Sequence, residues 1–290
     1  MPQQVWFITG CSRGFGRALA SAALDAGDSV AATARRPEQL KPLVEQYGER
    51  VLPVALDVTN SAAAQAAVDA AIKHFGRIDL VVNNAGYANI APAETAREDD
   101  FRRQFETNFW GVYHVSKAAL PVLKRQKAGT IVQFSSIGGR VGGTAGLASY
   151  QAAKFAVDGF TRVLATEAAP FGIRCLTVEP SGFATDWAGA SMQIQDIPSE
   201  YDGSVGALAR LIHSDRPKAG DPRRAGEILV RVVKRERLPT HLLLGVYAVD
   251  AAQDYSALQV AEAEAWRKVS LSADFGQPYP IELPADENPA

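Results

Sequence analysis

Apolar residues gather in seven short runs along this chain, at 4–9, 29–34, 51–56, 79–82, 130–134, 173–178 and 241–246. Each has the length of a buried strand, and none approaches the length of a free-standing helix. Between them lie longer helix-like stretches: 17–26, an Ala-rich segment from Ser61 to Gly76, 98–126, 150–169, one beginning near Pro222, and 250–270. Thr59-Asn60-Ser61 supplies cap residues ahead of the Ala-rich segment, and Gly76 suits the left-handed position that ends it. Short apolar runs alternating with helical stretches predict βαβ units. The expected fold class is α/β, doubly wound, with a mostly parallel seven-stranded sheet, helices on both faces and right-handed crossovers.

The alternation lapses in two places. Residues 187–222 mix Trp187, Met192, Ile194, Ile197, Pro198 and Tyr201 with Gly, Ser and Asp, as an insertion between the sixth strand and the helix near Pro222 would. Residues 276–290 hold four prolines and three acidic residues and predict an extended C-terminal arm. No internal repeat and no linker divides the chain, so one domain over 1–290 is expected. A net charge of −2 and a pI near 6.1 give no reason to expect a nucleic-acid or anionic-membrane partner. No signal-peptide pattern opens the chain and no apolar run is long enough to span a bilayer. Cys11 and Cys175 read as small buried residues, not a disulfide, in keeping with a reducing compartment. A cytoplasmic location is the resulting expectation.

Chemistry enters at two points. Val5-Trp6-Phe7-Ile8-Thr9-Gly10-Cys11-Ser12-Arg13-Gly14-Phe15-Gly16 is an apolar strand that runs into a glycine-rich turn and then a helix. Such a turn lets backbone approach a pyrophosphate, and the helix N-terminus favours its charge. Tyr150 and Lys154 are four residues apart, which on a helix sets them one turn apart on one face. A tyrosine near pKa 10 is a poor acid–base group at neutral pH until its anion is stabilised, and an adjacent ammonium does that.

Gly10, Gly14 and Gly16, then Asn83-Asn84-Ala85-Gly86, Asn108, Ser135-Ser136 and Tyr150-Gln151-Ala152-Ala153-Lys154 occur in an order and spacing that resemble the short-chain dehydrogenase/reductase family over roughly residues 4–186. Within it, Phe134-to-Gly139 and Val30-to-Arg36 resemble the 17β-hydroxysteroid-dehydrogenase-like group. The resemblance implies a Rossmann-type domain and a catalytic set of Asn108, Ser136, Tyr150 and Lys154. Tyr150 would exchange a proton with the substrate oxygen, Ser136 would hold that oxygen, Lys154 would bond the nicotinamide ribose, and Asn108 would support a water linking Lys154 to solvent. In most relatives the catalytic Ser lies one residue nearer the Tyr than Ser136 does here. Ser136 is preferred to Ser135, because the first of such a pair ends the strand. The extra residue falls in the five-glycine loop 138–149.

The resemblance also implies the cofactor contacts. Gly10, Ser12, Arg13, Gly14, Phe15 and Gly16 would hold the pyrophosphate. Asp57 and Val58 would meet the adenine. Asn84, Ala85 and Gly86 would lie against the adenosine ribose, and Pro180, Gly182, Phe183 and Thr185 would meet the nicotinamide carboxamide, with Ser181 departing from the family's usual Gly. NAD-binding relatives carry an acid at the end of the second strand. Ala34 stands there, followed by Arg35, so Arg13 and Arg35 are expected to pair the 2′-phosphate of NADP(H). No metal is called for.

Tyr87, Gly142, Gly143, Thr144, Trp187 and Met192 are the expected pocket wall. They are mostly apolar or small, which suits a neutral, hydrophobic ketone, aldehyde or alcohol. The Ala- and aromatic-rich helices 98–126 and 150–169 would form a homodimer or homotetramer interface in similar proteins. The competing readings are an NADP(H)-sensing protein without catalysis, an NAD-dependent alcohol dehydrogenase and an extended-branch epimerase or dehydratase. The first would be expected to lack Tyr150, Lys154 or Ser136. The last would have different glycine spacing and a larger C-terminal domain.

Overall fold

The central strands form because their residues can be buried on both faces. β1 (Val5–Ile8) and β2 (Ser29–Ala34) are buried at every position, as is β4 (Leu80–Asn83). β3 (Val51–Ala55), β5 (Gly129–Phe134), β6 (Ile173–Pro180) and β7 (His241–Leu244) complete a seven-stranded sheet in the order β3-β2-β1-β4-β5-β6-β7, every neighbouring pair parallel. The computed structural model describes residues 3–185, 192–212, 214 and 220–284.

Ten helices surround the sheet among the described residues: α1 (Gly14–Asp25), α2 (Lys41–Tyr47), α3 (Ser61–Phe75), α4 (Glu98–Phe105), α5 (Gly111–Gln126), α6 (Ala148–Ala168), α7 (Ala207–Ile212), α8 (Pro222–Val233), α9 (Val246–Ala265) and α10 (Arg267–Leu271). Residues alternate between faces along a strand. Trp6, Ile8, Val30 and Val132 therefore meet Leu19 and Leu24 of α1 and Leu229 of α8 on one side. Phe7, Ala31, Val81 and Ile131 meet Val68 of α3, Val115 of α5 and Leu164 of α6 on the other. The chain's direction of travel reverses between β1 and β4. The carboxyl ends of those strands open the crevice in which such sheets bind ligands.

Caps lie where the residue types require. Asn60 Oδ1 accepts from Ala63 N (2.9 Å) at the start of α3, and Gly76 ends it at φ 79°. Asp221 caps α8, with Pro222 in its first turn.

Several boundaries differ from the pattern reading. The stretch 98–126 is two helices joined by a π turn, Glu106–Trp110. The last strand stops at Leu244, because Gly245 takes φ 97° and turns the chain into α9. The helical stretch expected at 250–270 accordingly starts at Val246 and breaks at Trp266. β3 stops at Ala55, one residue short of the expected run 51–56, and Asp57 and Val58 follow it. The described part of 187–222 contains a 3-10 turn (Ser199–Tyr201), a π turn (Asp202–Gly206) and α7. Trp187 lies outside the described residues. No helix among the described residues is long and apolar enough to cross a membrane.

Candidate active site

The glycine turn is built by close approach. Gly10 and Gly14 hold φ of 73° and 56°, and a methyl on Gly16 would collide with the Gly10 carbonyl oxygen. Thr9 and Asn84 lock this turn to β4: Thr9 Oγ1 accepts from Asn84 N (2.9 Å) and Ala85 N (3.0 Å), while Asn84 Nδ2 donates to Thr9 O (2.9 Å). Cys11 N donates to Thr33 O (2.8 Å), which sets Ser12 and Arg13 beside the end of β2. Arg13 precedes α1 in extended backbone, and both Arg13 and Arg35 are exposed at this rim. Ala34 is buried in the core beneath α1.

Phe15, in the first turn of α1, stacks at a tilt on Phe134 (5.6 Å) and Phe183 (4.8 Å). This cluster ties the glycine turn to β5 and to the segment after Pro180. Thr185 reaches the same place, for a methyl on Gly14 would touch its Cβ at 3.6 Å. Ser181 N donates to Leu244 O (3.0 Å), so the turn containing Gly182 is anchored on β7. The turn at Gly10, Gly14 and Gly16, with its left-handed glycines and its position before α1, fits a dinucleotide's pyrophosphate. Asp57 Oδ1 accepts from Thr59 N (3.0 Å) and Thr59 Oγ1 (2.8 Å). The cap of the following helix is Asn60, not Asp57. Val58 is buried, and its carbonyl accepts from His114 Nδ1 (3.1 Å).

At the crevice floor, Ser136 follows β5 and its Oγ accepts from Gly138 N (3.1 Å). A hydrogen bond joins Ser136 to Tyr150 on the first turn of α6. Ser135 points elsewhere: its Oγ donates to Lys154 O (3.0 Å) and holds α6 against β5. Lys154 is 4 % exposed, its Nζ donates to Phe134 O (2.7 Å), and it lies 5.7 Å from the Tyr150 ring centre. Burial pushes the Tyr150 hydroxyl up to about 12, opposed by the Ser136 hydrogen bond, and pushes the Lys154 ammonium down to about 8. Burial thus dominates the proton affinity of both groups.

Asn108 is fully buried on the π turn and grips Tyr87 from both sides, Oδ1 accepting from Tyr87 N (3.1 Å) and Nδ2 donating to Tyr87 O (2.8 Å). The π turn's extra residue aims Asn108 inward, as such bulges often do at functional sites. A methyl on Gly86 would lie 2.6 Å from Asn108 Oδ1 and 3.5 Å from Lys154 Nζ. Asn108, Gly86 and Lys154 thus converge.

A family model described as short chain dehydrogenase matches residues 4–195. The chain belongs to the short-chain dehydrogenase/reductase family. It is 49% identical over 272 residues to the oxidoreductase BOA17 of Botryotinia fuckeliana, covering 93% of this chain and 99% of that one. A short-chain dehydrogenase from Streptomyces avermitilis superposes with TM-score 0.88 at 36% identity, over 95% of this chain and 100% of that chain. Alcohol dehydrogenase from the archaeon Thermococcus sibiricus, complexed with 5-hydroxy-NADP, gives TM-score 0.70 at 25% identity, over 85% and 98%. The 3-ketoacyl-(acyl-carrier-protein) reductase of Brucella melitensis, complexed with NADH, gives 0.69 at 26%, over 84% and 96%. This chain is thus an oxidoreductase of a family that uses nicotinamide cofactors.

Around this short-chain dehydrogenase's crevice, two features escaped the motif reading. Asp100 on α4 is buried and accepts from Asn89 Nδ2 (2.8 Å), Gln195 Nε2 (3.0 Å), Gln104 Nε2 (3.2 Å) and Arg103 Nη2 (3.2 Å). It fastens the loop after β4 to the inserted segment, which also pairs through an Ile90–Ile194 bridge. Second, Glu179 of β6 is buried and bonds Arg140 Nε (2.8 Å), pinning the five-glycine loop to the sheet. Isolated Asp, Glu and Arg residues give no sequence signal for such pairings. Of the expected wall residues, Met192 packs with the cluster that includes Tyr150, Ile90 and Leu147. Gly142 meets Phe155, Gly143 opens to solvent, and Thr144 is held by Gln151 (2.8 and 3.1 Å). Tyr87 turns to Arg103 and Asp100, and burial raises its pKa.

Proposed function

We propose that this oxidoreductase interconverts a neutral, hydrophobic ketone or aldehyde and its alcohol, with NADP(H) as cofactor. The observation that carries this reading is the hydrogen-bonded Ser136–Tyr150 pair above buried Lys154. The nicotinamide cofactor, when bound, supplies or accepts the hydride. In reduction Tyr150 donates its hydroxyl proton to the carbonyl oxygen, and Ser136 holds that oxygen. In oxidation Tyr150 takes the alcohol proton. Lys154 bonds the ribose and restores the Tyr150 proton through the Asn108 side of the crevice. Arg13 and Arg35 hold the 2′-phosphate, at the rim where Cys11 N meets Thr33 O.

The substrate class rests on the apolar cluster of Ile90, Leu147, Val205, Met192 and Ile197 beside Tyr150. It agrees with the resemblance to the 17β-hydroxysteroid-dehydrogenase-like group. By the same resemblance, α5 and α6 serve a homodimer or homotetramer. Exposed Trp110, Phe155 and Val163 suit that role.

The test is oxidation of NADPH and of NADH across a panel of ketones, aldehydes, quinones and sterols, with Arg13→Ala and Arg35→Ala alongside the wild type. The expected result is turnover with hydrophobic carbonyls and a higher kcat/KM for NADPH. Each arginine variant should weaken NADPH roughly tenfold, a charged hydrogen bond being worth about 1.5–3 kcal/mol, and spare NADH. Equal use of both cofactors would overturn the arginine assignment. Tight NADPH binding without turnover on any member of the panel would favour a cofactor-sensing protein.

A further inference from the structure

Past Ala252, the chain leaves the body of the protein. α9 touches it only through its first turns, where Ala248 and Ala252 pack with Ile137, Val141 and Leu243. From Gln253 to Pro284 no residue is buried. The remaining turns of α9, then α10 and the extended segment after it, carry Leu258, Val260, Trp266, Leu271, Phe275 and Tyr279 into solvent, with Tyr279 83% and Phe275 fully exposed. An isolated helix of this length is marginal in water and gains most of its stability from packing. Monomers rarely expose contiguous apolar patches beyond a few hundred Å².

Area and charge together indicate what covers this arm. Each aromatic side chain can bury roughly 150–250 Å². Three aromatics with the aliphatic residues beside them therefore reach the ~800 Å² per partner of a stable protein–protein interface. Residues 253–284 hold two of the 30 Lys and Arg and five of the 32 Asp and Glu, so this part carries −3 and residues 1–252 carry +3. The body of every copy thus carries a net charge of the opposite sign. The same acidity repels anionic lipid. Along α9 itself the apolar positions form no single stripe, which a membrane-surface helix needs.

We propose that residues 253–284 form an arm that docks on the body of a second copy of this chain. The contact is separate from the α5 and α6 faces and independent of the reaction assigned above. Its attraction between unlike charges weakens with salt.

Two measurements on the full chain decide it. A benzophenone amino acid placed at position 275 is photolysed, and the product sized against the 31.0 kDa protomer. Sedimentation then compares the wild type with the combined Leu258→Asp, Trp266→Asp and Tyr279→Asp variant, whose altered residues are solvent-exposed within a protomer. The proposal expects a covalent dimer, a dissociation constant raised at least tenfold by the substitutions, and weaker association at high salt. It is overturned by a monomeric wild type at micromolar concentration, by crosslinks confined to one chain, or by a dissociation constant that the substitutions leave unchanged. Co-flotation of the wild type with phosphatidylcholine–phosphatidylglycerol vesicles, with no covalent dimer, would assign the arm to a membrane and overturn the proposal as well.

Discussion

Tyr150 and Lys154 are four residues apart, yet burial drives their proton affinities in opposite directions. Each is pushed toward its neutral form, Tyr150 up to about 12 and Lys154 down to about 8. Tyr150 thus holds its proton at neutral pH, ready to donate. Tyr150→Phe keeps the ring and removes the proton, so turnover should fall by a factor on the order of 10² or more, with NADPH affinity within a few-fold of wild type by fluorescence titration. For Lys154 the folded value lies below the ordinary lysine value of 10.5, so between about 8 and 10.5 the unfolded chain binds more protons than the folded one. Its destabilising effect is full below pH 8 and is relieved as pH rises through that window. Lys154→Met should therefore raise the melting temperature of the cofactor-free protein at pH 7, less so near pH 10, while activity is lost. A lower melting temperature at pH 7 would mean that the bond to Phe134 O outweighs the cost of burying the charge. Position along the chain favours Ser136 over Ser135. That Ser135 Oγ is taken up by Lys154 O is visible only in space.

Two elements carry the crevice, and each depends on a buried carboxylate. Asp100 on α4 draws Asn89, Gln104 and Gln195 together and so fixes the segment 192–198 over the site. Asp100→Ala would leave buried amides unpaired at about 1–3 kcal/mol each. The expected result is a clearly lower melting temperature and a KM for carbonyl substrates that rises more than kcat falls, read from thermal unfolding and steady-state kinetics. An unchanged KM would detach this segment from substrate binding. Glu179 and Arg140 do similar work for the five-glycine loop. The helical period of 98–126 was legible, but the π turn that aims Asn108 was not, since one extra residue per turn leaves little trace in an apolar pattern.

At the scale of the molecule, the strand order sets the carboxyl ends of β1, β4, β5 and β6 side by side, so residues from 10 to 185 meet at one edge. A ligand bound across those ends stabilises every strand it bridges, through linkage to the folded state. NADPH at one hundred times its dissociation constant should add about 2.7 kcal/mol and raise the melting temperature by several degrees. NADH at the same concentration should add less if Arg13 and Arg35 read the 2′-phosphate. Equal shifts, measured by scanning calorimetry, would speak against that reading. The projecting arm belongs to this scale too, because its three acidic charges in excess matter only against the body's opposite sign.

The chain's own pattern determined the seven strands, most helices, the glycine turn, and the Ser136, Tyr150 and Lys154 spacing. These depend on local rules: strand and helix periods, left-handed glycines, and one turn of helix between Tyr and Lys. Tertiary structure decided what the local rules do not contain. It buried Ala34 under α1, gave Asp57 to Thr59 and the cap of α3 to Asn60, and set Thr9 as the clasp between β1 and β4. It also brought Asp100 to Gln195 and Glu179 to Arg140 across 95 and 39 residues. Such contacts arise from chain crossings that place distant residues at one sheet edge, and the proton affinities of Tyr150 and Lys154 follow from the burial those crossings create.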